Sequence, residues 1–573
     1  MKMANIGVLF DHESANIHWQ YGINVFQSYI GELLSQYRIP FDWINNPDSP
    51  MLTSYDLIIV ALVKEDKKTA DFLWDYMEKG GAVVALSNLN SLAKRLGYQR
   101  GPTMDRGYAD VSAFIDAAFP LLCLKSVPWI KTGESHSAEE QYGHVNENFP
   151  NGERHCSVVD KFCIGKGVLY RWSVDLTSTI VGLQQGTRPV LEDGVPAPDN
   201  SASIDDFHLK SDDSSEVHWE HDRLKTDANA PYFAYPYADL WREAFQSYLI
   251  SCCLEIGVGL PFVGYWPEGT DSVVSISFDS DYNEDKHADK TLDFLQGLNI
   301  PTTWCMMEPG YSDEIYKRVV KEGHELAFHY NAVAEDNGSW GEREFSRQLN
   351  WLKEVTGLKE VTSNKNHLTR FEGWGELYQW CEKYGISSDQ TRGNSKKGNV
   401  GFLFGTCHPY FPIAWFDEQN RIYDVLEIGF MLGDYNKADF SVVPPLLDKV
   451  QEVHGVAHIV FHQVHIYNQS SVRELLSNVV QQARAREMSI WTGETINKWY
   501  RARRKVHIEG INDHGEPVIN CGEEIEGVVV YVPIHNQKNP DVSDENVKLI
   551  NHLWCRKYVF SSGVSHEGGL AHG

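Results

Sequence analysis

Four segments in the second half of the chain read as strand ends, each with residues able to hold a metal ion or move a proton. They are SVVSISFDSDYNED (272–285), GHELAFHY (323–330), SNKNHLTRFEGW (363–374) and AHIVFHQVHIY (457–467). Strands of this kind separated by helices describe the C-terminal rim of a β/α barrel, where loops after the strands gather reactive groups. On an extended strand Asp279 and Asp281 share a face, because side chains alternate with period two. Two carboxylates there suit one metal ligand beside one general base. His329 closes the second run, His367 and Arg370 stand together in the third, and His458, His462 and His465 fall in the fourth. His462 and His465 are three apart, so both can serve only if the strand ends between them. SIWTGETINKWYRARRKV (489–506) reads as the last strand and helix of the barrel.

The first half has a different rhythm. ANIGVLF (4–10), DLIIVAL (56–62) and AVVAL (82–86) are continuous apolar runs, separated by helical stretches at Trp19 to Tyr37 and Thr69 to Lys79. Alternating βαβ elements imply a parallel, doubly wound, flavodoxin-like sheet. A strand is expected within KGVLYRWSVDL (166–176), a polar stretch from Glu192 to Asp227, and a helix from Tyr237 to Leu254. After Val506, short β runs punctuated by Gly and Asn predict a small antiparallel appendage. With 573 residues, more than one domain is expected: 1–262 for the sheet, 263–505 for the barrel and 506–573 for the β appendage.

The segment from Ile6 to Ile180 resembles the glutamine amidotransferase-like domains appended to some carbohydrate enzymes, on IGVLF, SYDLIIV, YMEKGGAVVALS and IGKGVLYRWSVDLTSTIVGLQQG. A working glutaminase places a nucleophilic Cys on the strand-to-helix elbow. Here the elbow reads Ser87–Asn88–Leu89–Asn90, so this domain is expected to be non-catalytic, a sensor, docking or assembly module through which a homo-oligomer could form. Asp11, His12 and Glu13 end the first strand, and a satisfied polar loop is their expected fate.

The segment from Asp271 to Val506 resembles the polysaccharide deacetylase (NodB homology) family, whose domain is a distorted β/α barrel with a divalent-metal site. SFDSD resembles its first motif, an acidic pair split into base and ligand. GHELAFH resembles the second, HLTRFEG the arginine-bearing third, and IVFHQ the last, which carries a histidine acid. The loop around GTCHP (405–409) is similar to that of a subgroup. The resemblance implies Asp279 as base, Arg370 as the group that orients it, and His462 as acid, with Asp281 and His329 as metal ligands. Ser280 interrupts the usual contiguous pair, and Val333 stands where the second motif carries a second histidine. His367 is the expected substitute ligand, with His465 the alternative and His408 a secondary candidate. One carboxylate and two imidazoles leave a divalent ion open positions; zinc is expected, with cobalt, manganese or nickel as alternatives.

The implied activity is removal of an N-acetyl or O-acetyl group from a saccharide; the rival is a catalytically silent carbohydrate-binding or assembly protein. Trp340 and Trp374, beside polar loops, are the expected sugar-stacking residues. An Asp pair at a strand end is otherwise a common cap, and His324 and His458 read as hydrogen-bonded core residues. Lys and Arg number 51 against 79 Asp and Glu, a net charge of −28, which disfavours nucleic acid and anionic membranes as partners. The acidic runs DDFHLKSDDSSE (205–216) and PDVSDENVK (540–548) read as solvated loops. Ten scattered Cys without a CxxC pair, and a strand beginning almost at Met1 without a charged leader, give a cytoplasmic expectation.

Overall fold

The computed structural model describes residues 1–561 apart from 47–49, 133–137, 205–207, 335–337, 435–438, 523–524 and 539. In the first sheet each apolar run splits its side chains between two cores. Ile6, Val8, Leu57, Ile59, Ala82 and Val84 enter one cluster, and Leu9, Ile58, Val60, Val83 and Ala85 the other. A strand buried on both faces has no polar side to show, which is why these runs read as continuously apolar. The strands are β1 (Ile6–Phe10), β2 (Asp42–Ile44), β3 (Leu57–Leu62), β4 (Ala82–Leu86), β5 (Glu140–Tyr142), β6 (Val159–Ile164) and β7 (Gly167–Trp172), in spatial order β2-β1-β3-β4-β7-β6-β5. The first five in that order pair in parallel, and β6 and β5 are antiparallel additions at one edge.

The expected helix from Trp19 to Tyr37 is instead broken. A helix runs His12–Gln20, the chain turns at Gly22 with φ 73°, and a second helix spans Ile30–Gln36. Asp11 sets the first helix start by accepting from the Glu13 and Ser14 amides, so the polar group after β1 is consumed as a cap.

β8 (Phe262–Val263) pairs with the C-terminal appendage before the chain enters the barrel. The barrel sheet holds β9 (Val273–Asp279), β10 (Thr303–Met306), β11 (Glu325–Tyr330), β12 (Ser363–Asn366), β13 (Ser388–Asp389), β14 (Leu426–Glu427), β15 (Leu432–Gly433), β16 (Val456–His462) and β17 (Ser489–Ile490). Its order is β14-β13-β12-β11-β10-β9-β16-β15, with β17 beside the start of β9, and all pairs are parallel. Period two sorts β9: Val274, Ile276 and Phe278 join the apolar cluster beneath the helices, which leaves Ser275, Ser277 and Asp279 for the other face. His458 lies opposite Ser275 in register and bonds Ser277 Oγ at 2.8 Å. Burial pushes its imidazole down to about 3, so His458 is a neutral core residue. His324 is likewise held by Thr302.

The appendage consists of a hairpin, His507–Ile511 with Pro517–Asn520, and a sheet of β18 (Val528–Pro533), β19 (Val547–Ile550) and β20 (Leu553–Phe560) joined by β8. The stretch between Gly186 and Tyr237 lies across the barrel, with bridges Val190–Gly373, Lys210–Arg370 and Phe233–Gly401. Within it Ser211, Asp212 and Ser214 are buried. Asp212 accepts from the Ser395 amide and hydroxyl, so this acidic run is a structural strap rather than a solvated loop. Its Asp205, Asp206 and Phe207 lie outside the described residues. No helix among the described residues is long and apolar enough to cross a membrane, and none of the ten Cys forms a disulfide.

Candidate metal centre

The four strand ends meet at one rim. β9 ends on Asp279, and Asp281 follows past the buried Ser280. His329 is the penultimate residue of β11, and His367 follows β12 directly in a short turn where Leu368 and Thr369 take positive φ (58° and 54°). β16 ends on His462, which is the N-cap of the helix Gln463–Asn468. The strand therefore ends between His462 and His465, as joint use of the two requires.

Asp281 is the hub of this rim. Its Oδ1 lies 3.4 Å from His329 Nε2 and 3.3 Å from His367 Nδ1, and its Oδ2 lies 3.4 Å from His462 Nε2. Ligand atoms about 2.0–2.1 Å from a tetrahedral zinc stand about 3.3–3.4 Å apart. The His329 Nδ1 sits 2.9 Å from the Lys365 carbonyl oxygen, which fixes the ring proton there and leaves the lone pair on Nε2. That Nε2 and Asp281 Oδ1 are both buried without a hydrogen-bond partner. Two acceptors facing each other at this distance repel, and a cation between them removes the conflict. Asp281, His329 and His367 thus fit a divalent ion, and their ligand atoms all lie within 4.8 Å of one another.

Two charged pairs flank that trio. Asp279 Oδ2 is 3.0 Å from the ammonium of Lys365, a side chain only 1% exposed. Burial alone would raise Asp279, but Lys365, with His329 and His462, outweighs it and holds the carboxyl below its ordinary value. On the other side Asp434 accepts from the His462 amide at 2.9 Å and faces His462 Nδ1 at 2.6 Å. Burial would lower His462, yet Asp434 and Asp281 hold its imidazole well above its ordinary value. The rim therefore carries an ionised carboxylate on one side and a protonated imidazole on the other.

Several expected residues fall elsewhere. Arg370 does not contact Asp279; it bonds the Leu209 carbonyl at 3.1 Å and Glu372, anchoring the strap, and Lys365 occupies the place beside the base. His465 faces Asp434 at 3.1 Å and lies outside the Asp281 trio. His408 is buried against the Val453 carbonyl and Tyr500. There burial, with Arg242 nearby, pushes its imidazole well below its ordinary value. Trp374 is 3% exposed, stacked on Phe26 and packed on Trp415, with its indole N–H given to the Ile413 carbonyl. Trp340 is 5% exposed and packs edge-on against Tyr330. Neither ring offers a face for a sugar. At the first sheet, Ser87 follows β4 with φ 56°, and no histidine bonds it among the described residues. Lys365 and Asp434 escaped the sequence reading: one looks like a surface residue in SNKN, and the other follows a two-residue strand too short to show a period.

No family model matches this chain, and no curated protein matches it. Solved structures do. A protein described as a polysaccharide deacetylase from Mycobacterium smegmatis is 16% identical, covering 42% of this chain and 94% of that one, with a TM-score of 0.32. One from Bordetella bronchiseptica, described as a polysaccharide deacetylase involved in O-antigen biosynthesis, is 16% identical over 40% of this chain and 83% of its own, TM-score 0.26. A family 4 carbohydrate esterase pseudoenzyme from Bacillus anthracis is 11% identical over 40% and 66%, TM-score 0.26.

Proposed function

We propose that this chain is a divalent-metal-dependent deacylase that removes an acetyl group, N-linked before O-linked, from a saccharide. The observation that carries this reading is the pair of buried, unpartnered acceptors, His329 Nε2 and Asp281 Oδ1, with His367 alongside. A divalent ion held there, with zinc the first choice, would supply an acidified water and polarise the acyl carbonyl. Asp279, kept ionised by Lys365, takes the proton from the attacking water. His462, kept protonated by Asp434, gives a proton to the departing amine, and the two groups enter the cycle already in the charge states these steps need. The first sheet acts as a non-catalytic, glutamine amidotransferase-like module for assembly, and the protein works in the cytoplasm on sugars rather than nucleic acid.

Val333, where a second ligating histidine would complete the family pattern, favours a second reading: saccharide binding without turnover. Acetate release from a panel of acetylated amino sugars and acetylated xylan, before and after chelation and zinc readdition, separates the two. Release that chelation abolishes and zinc restores supports the deacylase; zinc-loaded protein that releases no acetate supports the silent binder.

A further inference from the structure

Large apolar side chains stand exposed in the loops that follow the rim strands: Tyr282 at 66%, Val333 at 43%, Tyr467 at 40% and Leu368 at 38%. Asp281 divides them. Its Oδ2 faces His462, and its Oδ1 faces His329 and His367. The tyrosines belong to the His462 side, where the Tyr282 carbonyl oxygen lies 3.2 Å from His287 Nδ1 and the His287 ring packs on Tyr467 at 4.8 Å. The aliphatic residues belong to the other side. Leu368 directly follows His367, and Val333 stands four residues past His329. β11 and β12 pair in parallel with His329 opposite Lys365, and the His329 and His367 rings meet edge-on at 5.4 Å. The loops that carry Val333 and Leu368 are therefore neighbours.

Leu368 is unusual in a second way. Its φ is 58° and that of Thr369 is 54°, a left-handed conformation that bulky side chains rarely adopt. Strain of this kind persists only where the surroundings hold it, and it gathers at ligand contacts. Here it sets an exposed aliphatic side chain immediately beside a metal-ligand candidate. Single exposed aliphatics mean little, but two in neighbouring loops of one site mark a contact surface.

We propose that Leu368 and Val333 form an open apolar shelf for the acyl chain of the substrate, so that the rim prefers butyryl to hexanoyl groups over acetyl. The inference rests on the deacylase reading. His462 gives its proton to the departing amine, which places the amine on the Oδ2 side of Asp281. The acyl chain leaves the carbonyl carbon in the opposite direction, towards His329, His367 and the shelf. A chain longer than a methyl covers both aliphatic side chains and removes them from water. The step itself is unchanged: water cleaves the C–N bond, its oxygen joining the acyl carbon and a proton joining the amine, to give a carboxylic acid and a free amine.

Alkyl hydroxamates carry the same chain on a group that chelates zinc, so they report the shelf without turnover. Calorimetric titration of the zinc-loaded full chain with aceto-, butyro- and hexanohydroxamate should show affinity rising about twofold per methylene, the gain from half-burying each one. Leu368→Asn, a residue that tolerates positive φ, should flatten the series, and Val333→Ser should reduce its slope. Zinc content and thermal melting check that each variant folds. In turnover, N-butyryl- and N-hexanoylglucosamine should release free amine faster than N-acetylglucosamine. Affinity that stays level or falls with chain length, a slope that both folded variants retain, or fastest cleavage of the acetyl substrate would overturn the shelf and leave the metal centre in place. Hydroxamates that bind at no length would overturn the metal centre and the shelf together. Chain-dependent binding without amine release from any of the three glucosamides would remove the deacylase reading and keep the shelf as an acyl-binding surface.

Discussion

Two parallel sheets in this chain carry polar residues at the ends of their strands, and they use them in opposite ways. After β1, the Asp11 carboxylate accepts from the amides of Glu13 and Ser14 and from the Ser14 hydroxyl. Around the barrel rim, Asp281 and the fully buried His329 each keep one buried atom without a partner. Residue type alone does not separate the two places. What separates them is whether the backbone has already consumed the polar atoms, and buried groups left unmatched call for an explanation that capping supplies in one sheet and a cation supplies in the other.

Breaking the rim should therefore have the largest effect. His329→Ala or Asp281→Asn should lose the bound ion on dialysis and with it all measurable acetate release, read by elemental analysis and an acetate assay. Next in size, Asp279→Asn should keep the ion but lower turnover by about 10²–10⁴-fold, the usual contribution of a general base. Equal metal loss in Asp279→Asn and Asp281→Asn would make both aspartates ligands.

Lys365→Met sharpens the comparison through pH. In the folded protein Lys365 holds Asp279 below its ordinary value, so the base is ready down to low pH and activity falls only as pH drops through that depressed value. Without the ammonium, burial dominates and Asp279 titrates higher, so the acid limb of the rate profile should move to higher pH, while Lys365→Arg should move it less. The stability sign agrees: a depressed carboxylate contributes stability above its unfolded value and loses it as pH falls through the folded one. Breaking a buried pair costs about 3–5 kcal/mol, so the Met variant should also melt earlier. A variant whose acid limb stays put would show that Lys365 does not govern the base.

The smallest effect belongs to the first sheet. Asp11→Ala should cost about 1 kcal/mol, the worth of a helix cap, and should leave metal content and acetate release unchanged. A change in either would erase the contrast between the two sheets.

Much of the rim was legible because strand alternation and strand ends leave clear marks. The apolar runs place Asp279, His329 and His462, and the proximity of His367 to the third strand supplies the remaining ligand candidate. Lys365 was hidden because a lysine in a short polar run reads as exposed, and its burial is made tolerable by Asp279 and the Phe430 ring, both distant in sequence. Arg370 misled for the converse reason: its partner is the Leu209 carbonyl, some 160 residues away in the strap. Trp374 was misplaced because its stacking partner, Phe26, belongs to the first sheet's half of the chain. Local pattern reports which face a residue takes. It does not report what a distant segment lays over that face.

Metal stoichiometry tests the central claim most directly. After loading with zinc and dialysis, elemental analysis of the unmodified protein should give one zinc per chain at the rim, and His329→Ala should reduce the count by one while Asp11→Ala leaves it intact. An unmodified protein that retains no divalent ion, or a His329→Ala variant that retains as much as the parent, would contradict the account.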